Sequence, residues 1–281
     1  MKNKILVIAL AAIVGTVAAT ATVWTVQQGL GITEVKDGLY MITGNGGNIG
    51  VRVTSEGVVV IDDKFEQNYD EIISKIASVT NQPVKYVLNT HHHGDHTGSN
   101  GQFAAIAQVI AHTNVRANMI RGNQTGPPSI VYMDQTAVFL GDTEVRAHYV
   151  GRGHTDGDSV IYFPDLRTVH TGDLIVGGTL FIDYGNGGTS IEWLGTIDNI
   201  LELDFDTVIP GHGGLMTKDD VREFRSKIET LQQRGRELIS QGVSKDEFGS
   251  RLNADDIGWQ IEGSLFGRAS LSGFYDELSN N

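Results

Sequence analysis

The chain has 281 residues, 40% of them hydrophobic and 20% charged, so it can fill a sizeable core and is not an intrinsically disordered polymer. Its 34 acidic against 21 basic side chains give a formal charge of −13, which repels phosphate backbones and disfavours a nucleic-acid partner. Cysteine is absent, which removes disulfides, thiolate metal ligands and a cysteine nucleophile together.

Lys2 and Lys4 precede an uncharged stretch from Ile5 to Val26, rich in Ala, Val, Ile and Thr. This has the form of a secretory signal over residues 1–21, with Ala19-Thr20-Ala21 as the small-residue cleavage site. An uncleaved anchor reaching Val26 is the other reading, since about 20 apolar residues can span a bilayer. Either places the remainder, a single domain over residues 30–281, in the periplasm or outside the cell, with membrane contact only through this segment.

Beyond it, Ile32–Thr43, Asn48–Thr54 and Val58–Ile61 read as short strands joined at Lys36-Asp37-Gly38 and Glu56-Gly57. Ile72, Ile73, Ile76 and Val79 mark one face of a helix. Val84–Leu88 reads as a buried strand behind Pro83. The stretch from Arg121 to Met133, with Gly122, Gly126, Pro127 and Pro128, is either a loop over a site or a plain surface excursion. Strands follow near Val138–Leu140, Val145–Val150, Val160–Phe163 and Thr168–Val169. A helix over Ile191–Leu201 and a strand at Thr207–Ile209 come next. Thr217 with Asp220 resembles a capping box, opening a helix whose stripe is Val221, Phe224, Ile228, Leu231 and Leu238. Strands alternating with helices in two successive halves predict a layered α/β domain, with two sheets and the helices outside.

Four of the nine histidines fall within residues 91–96, directly after the strand Val84–Leu88. Loops at strand ends are where α/β proteins hold their chemistry. The segment reads His91-x-His93-x-Asp95-His96, with imidazole and carboxylate donors suited to zinc, and also to iron or manganese. Two histidines two apart in an extended turn clasp one metal, and Asp95 with His96 then addresses a neighbouring position, which suggests a second. Four ligands do not close two sites, so more are expected downstream. His154, Asp173 and His212 each follow a strand-like run and are flanked by glycine. Singly, each is an ordinary turn residue; joined to the 91–96 cluster, they complete a ligand set. His92, His112, His148 and His170 are read as non-ligands.

His91-x-His93-x-Asp95-His96, Gly153-His154-Thr155, Thr171-Gly172-Asp173 and Pro210-Gly211-His212-Gly213 together resemble the metallo-β-lactamase-fold hydrolases, in order over roughly residues 32–240. The resemblance implies an αββα sandwich with a dinuclear site at one sheet edge. One zinc would rest on His91, His93 and His154 and the other on Asp95, His96 and His212. Asp173 and a hydroxide would bridge them. Asp62, ending its strand, matches an aspartate that orients a ligand histidine, with Asp63 as the neighbouring alternative. The hydroxide would attack an acyl carbon of a small β-lactam-like amide, lactone or ester, with Asp95 orienting the nucleophile. Phe181, Tyr184 and Asn186 fall where such proteins place pocket residues, Tyr184 as a candidate oxyanion donor. Trp193 is read as core. An aspartate at 173, where many β-lactamases carry cysteine or serine, is closer to lactonases and glyoxalase II thioesterases. Residues 243–281, however, show no basic glutathione site. The alternatives are iron-dependent redox chemistry of the persulfide dioxygenase kind and a thioesterase of the glyoxalase II type.

Overall fold

The computed structural model describes residues 29–281, so the leader expected over residues 1–21 lies outside the described residues. Two hairpins begin the fold. β1 (Gly31–Lys36) turns at Asp37-Gly38 into β2 (Leu39–Thr43), and β3 (Ile49–Val53) into β4 (Val58–Ile61), all antiparallel. Gly38 sits at φ 67°, a left-handed value that costs glycine little and makes the first turn possible. α1 (Tyr69–Ala77) then crosses to β5 (Val84–Leu88), which lies parallel to β4. The short helices α2 (Gly94–Thr97) and α3 (Asn100–Phe103) lead to β6 (Gln108–His112), and α4 (Thr113–Arg121) to β7 (Ile130–Tyr132). These seven strands lie in sequence order in one sheet.

β8 (Gln135–Leu140), β9 (Thr143–Tyr149), β10 (Ser159–Phe163) and β11 (Thr168–His170) begin a second sheet. After α5 (Ser190–Leu201), β12 (Thr207–Ile209) joins β11 in parallel and β13 (Met216–Thr217) closes the edge. α6 (Lys218–Ser240), α7 (Lys245–Arg251) and α8 (Leu271–Ser279) complete the chain.

The two-residue side-chain period of a strand explains the layering. In β4, Val59 and Ile61 point inward with Leu88, Val145, Ala147, Ile161 and Phe163 to form the core between the sheets. Val58 and Val60 point the other way, onto Ile72 and Ile76 of α1 and Phe103 of α3. On the second sheet, Val160, Val169 and Val208 face Trp193 and Ile197 of α5, Val221 and Phe224 of α6, and Phe274 of α8. Each such side chain contributes about 1.5–3 kcal/mol on burial. The result is helix on sheet on sheet on helix, the layered α/β class that the element pattern predicts. Among the described residues no helix is long and apolar enough to cross a membrane.

Boundaries agree for α5 and for the capped start of α6, where Thr217 and Asp220 exchange both capping bonds. The sequence reading assigned no element to β6, β7, α4, α7 or α8. The excursion expected from Arg121 to Met133 contains β7, paired in parallel with β6, and Arg116 donates to the Pro128 carbonyl at 2.6 Å. A three-residue strand behind two prolines carries too few residues to show a period.

Candidate metal centre

β5 ends at Leu88, and the chain after it delivers four of the expected ligands before α2 has finished. The His93 carbonyl accepts from the amides of His96 and Thr97, which turns the backbone so that Asp95 and His96 leave it in a different direction from His91 and His93. The second sheet supplies the rest from three separate connections. His154 lies between β9 and β10, Asp173 in the tight turn after β11, and His212 after β12. Glycine is required where these loops approach. A side chain on Gly211 would place a carbon 2.0 Å from Asp173 Oδ1, and one on Gly47 would lie 2.2 Å from the His96 ring.

All seven side chains meet. The donor atoms of His91, His93, His154 and Asp173 lie within 4.8 Å of one another, as do those of Asp95, His96 and His212. Asp173 faces both groups with different oxygens. Its Oδ2 is 3.6 Å from His154 Nε2 and 4.0 Å from His91 Nε2, while its Oδ1 is 3.2 Å from His96 Nε2 and 3.4 Å from His212 Nε2. Asp95 Oδ2 stands 3.3 Å from His212 Nε2 and 3.6 Å from His96 Nε2.

The outward nitrogens of four rings are held by neighbours, which determines what the inward ones present. His96 Nδ1 donates to Asp62 Oδ2 at 2.8 Å, and His154 Nδ1 to the Phe181 carbonyl at 2.7 Å. Thr90 donates its own hydroxyl proton to Asp62, so it accepts from His91 Nδ1 at 3.1 Å. His93 Nε2 donates to Asp183 Oδ2 at 2.9 Å. With each ring's one proton held outside, the inner nitrogens present lone pairs, and His93 Nδ1 faces His154 Nε2 at 2.9 Å. Two lone pairs at that separation repel unless a cation lies between them. His91 Nε2, His96 Nε2 and Asp173 Oδ1 are moreover buried without a hydrogen-bond partner. Orphaned buried acceptors are costly, and a divalent cation in each group would satisfy them. The donor set fits such ions.

Without cations, the electrostatics redistribute protons. Burial disfavours a charged His96, but Asp173 and Asp62 outweigh it and lift its pKa well above the usual value. His212 is likewise raised, to about 9, by Asp173 and Asp95 against its own burial. Burial pushes His154 down to about 4 and holds His91 well below its ordinary value, His96 adding to the effect on His91. Despite burial, His212 and His96 hold Asp95 near 2, and His96 holds Asp173 well below the carboxylate range.

Asp62 occupies a left-handed backbone position, φ 60°, and spends its carboxylate fully on Thr90 N, Thr90 Oγ1 and His96 Nδ1. Asp63 instead accepts from Ser99 N, has one oxygen without a partner, and is pushed well up by burial. Of the two aspartates, it is Asp62 that touches the histidine cluster. His170 bridges Asn48 O and Gly172 N, and His112 stacks on Tyr149 at 4.2 Å while capping α4. His92 lies 3.8 Å from Asp183 Oδ2, so its ring is near the cluster without facing Asp173.

Phe181 stacks over His93, with centroids 5.7 Å apart, and meets His154 edge-on at 5.4 Å. Tyr184 turns away. Its hydroxyl donates to Glu277 Oε2 at 2.8 Å, so the oxyanion-donor expectation has no geometric support. Asn186 spends its amide NH₂ on Asp183 and its carbonyl on Arg121, leaving neither toward a substrate. Trp193 is buried behind His154, donating to the Leu174 carbonyl. Sequence reasoning missed Asp183 and the fully buried Lys64, whose ammonium donates to the Gly47 carbonyl and pins the glycine loop over His96. Neither sits in a recognisable ligand spacing, so no local signal marked them.

A family model described as the Metallo-beta-lactamase superfamily matches residues 42–212, a stretch that contains all seven side chains. The chain belongs to that superfamily. Among curated relatives, the 2,4-dinitroanisole O-demethylase subunit alpha of Nocardioides sp. (strain JS1661) is 29% identical, over 59% of this chain and 52% of that protein. A metallo-beta-lactamase type 2 of Bacillus cereus is 26% identical, over 57% of this chain and 64% of its own length. The matched region thus spans between half and two thirds of each of these relatives. A metallo-beta-lactamase from Pontibacter korlensis has a similar fold, with a TM-score of 0.64 at 20% identity, over 71% of this chain and 99% of that one.

Proposed function

We propose that this chain is an exported hydrolase that uses two zinc ions to cleave an acyl C–N or C–O bond in a small molecule, as in a β-lactam-like amide, a lactone or an ester. One ion is assigned to His91, His93 and His154, the other to Asp95, His96 and His212, with Asp173 shared. The observation that carries the reading is the split carboxylate of Asp173, one oxygen toward each group, beside three buried donor atoms with no other partner. Zinc pairs of this kind supply an acidified water and a Lewis acid for a substrate oxygen.

The protein's own part is charge and placement. Two carboxylates against two divalent cations leave the centre positive, which draws a carbonyl or anionic group despite the acidic surface. Asp95 is the more open of the two carboxylates, its side chain 25% exposed against 11% for Asp173, and it is assigned to orient the nucleophile. Phe181 supplies an apolar wall beside His93. The name of one relative, a β-lactamase, supports an amide C–N bond as the target.

The test is metal analysis of protein expressed without added metal, followed by assay of the zinc-loaded form. The panel comprises a nitrocefin-type β-lactam, lactones, thioesters and phosphodiesters, each with a chelator control. Two zinc ions per chain and chelator-sensitive turnover of an amide or ester are expected. Stoichiometric iron with oxygen consumption would overturn the reading, as would full turnover by metal-depleted His93→Ala protein.

A further inference from the structure

The family match ends at residue 212, yet the last helix of the chain packs against a segment that touches the candidate centre. Its contact is the segment between Asp173 and α5. Glu277 of α8 accepts from the Tyr184 hydroxyl, the Thr189 hydroxyl, and both the amide and the hydroxyl of Ser190. Ser270, just before α8, bonds both the amide and the carbonyl of Ile182. The fit is close. A side chain on Gly273 would lie 2.3 Å from the Tyr184 ring, so only glycine lets α8 approach.

The other side of the same segment reaches two of the candidate ligands. Asp183 N donates to the His154 carbonyl and Thr189 N to the Gly153 carbonyl, which ties the segment to the strand connection that carries His154. From that position it offers the Phe181 carbonyl to His154 Nδ1 and the Asp183 carboxylate to His93 Nε2. Both contacts fix which ring nitrogen keeps its proton and where the other one points. His96, by contrast, is held by Asp62, on the far side of the cluster from this segment. Carboxylate or carbonyl partners of this kind typically change metal affinity about 10–100-fold when removed.

We infer that Glu277 is a positioning residue for the His91/His93/His154 group. It acts through residues 181–190, which bring Asp183 onto His93 and the Phe181 carbonyl onto His154. The inference rests on the two-cation reading above and adds that the C-terminal helix supports His93 and His154 alone, whereas Asp62 holds His96 directly and His91 through Thr90.

Cobalt(II) titration of the full chain, followed by visible absorption, tests it. Wild type takes up two ions. Glu277→Ala and Asp183→Asn are each expected to weaken, by about tenfold, the same step that His154→Ala abolishes, leaving the other step within about twofold. Glu277→Gln, which keeps an accepting carbonyl, restores most of the lost affinity. A merely structural role for Glu277 would lower the melting temperature of the metal-free protein and leave the cobalt spectrum unmoved. If Glu277→Ala does not fold, Tyr184→Phe combined with Thr189→Val removes two of the four donors instead. Wild-type cobalt steps in that variant or in Glu277→Ala overturn the inference, as does equal weakening of both steps. Loss of a third bound ion in Asp183→Asn also overturns it, by making Asp183 a ligand alongside His92 and His93. Failure of wild type to bind cobalt would instead count against the hydrolase reading alone.

Discussion

Single residues show where local sequence signals stop. Asp158 sits four residues after His154 and accepts from Thr155 N at 2.7 Å and Thr155 Oγ1 at 2.6 Å, holding the connection in shape. Burial raises its pKa to about 8, Thr155 opposing only in part. In the unfolded chain the carboxyl ionises near 3.8, so between about pH 4 and pH 8 ionisation favours unfolding, and stability falls as pH rises through that window. Asparagine does not titrate. Asp158→Asn loses one acceptor and starts less stable than wild type at pH 5, and is expected to gain on it steadily up to pH 8. Each pH step of one across that window corresponds to about 1.4 kcal/mol, and about 1 kcal/mol moves the midpoint of a domain of this size by about 2–4 °C. Thermal melts in chelator at four pH values measure it, chelator being needed because a cation on Asp173 would favour the ionised form. A gap between the two proteins that is constant with pH refutes the prediction. The seven ligand candidates were legible because four crowd into His91-x-His93-x-Asp95-His96 after one strand and the other three each stand in a glycine-flanked turn after another. Asp183 and Lys64 were not, because their contacts with His93 and with the glycine loop span 90 and 17 residues of chain.

At the scale of elements, legibility followed the length and amphipathicity of the segment. α6 was visible as a stripe from Val221 to Leu238 behind a Thr-x-x-Asp start, and the structure forms both bonds of that box. α4 was not visible, because its only buried residues are Val115, Asn118 and Met119, and an asparagine in the stripe blurs the period. α8 carries only Phe274 and Leu278 as buried residues, with Gly273 beside them, a composition that reads equally as a loop. Removing the cap of α6 tests how far local signal converts into stability. Thr217→Ala deletes the hydroxyl that accepts from Asp220 N and leaves that amide an orphan donor at the helix start. The expected cost is about 1 kcal/mol, seen as a midpoint lower by about 2–4 °C. Bound metal should be unchanged, because α6 packs on the outer face of the second sheet. A fall in metal content would mean that the helix start also sets the His212 loop.

For the whole molecule, the distribution of ligands matters more than their number. His91, His93, Asp95 and His96 leave the first sheet, whereas His154, Asp173 and His212 leave the second. The sheets are joined by their shared core and by backbone, with no disulfide in a chain that lacks cysteine. On the two-cation proposal, metal at this junction would act as the cross-link and would bind the folded state, because only folding assembles donors from both sheets. Zinc at about 100 times its dissociation constant stabilises by about 2.7 kcal/mol, which is a rise in melting temperature of about 5–10 °C for a domain of this size. The rise should follow zinc concentration logarithmically and vanish with chelator. Asp173→Ala is the specific test. It removes the one residue that faces both groups and also a buried carboxylate whose charge is balanced only by His96 and its neighbours. Because His96 and His212 lose the carboxylate that lifts their pKa, its metal-free melting temperature is expected to fall below that of wild type, while the zinc-dependent rise collapses. If Asp173→Ala keeps the full rise, the cations are held by one sheet alone and the junction is not where the metal acts.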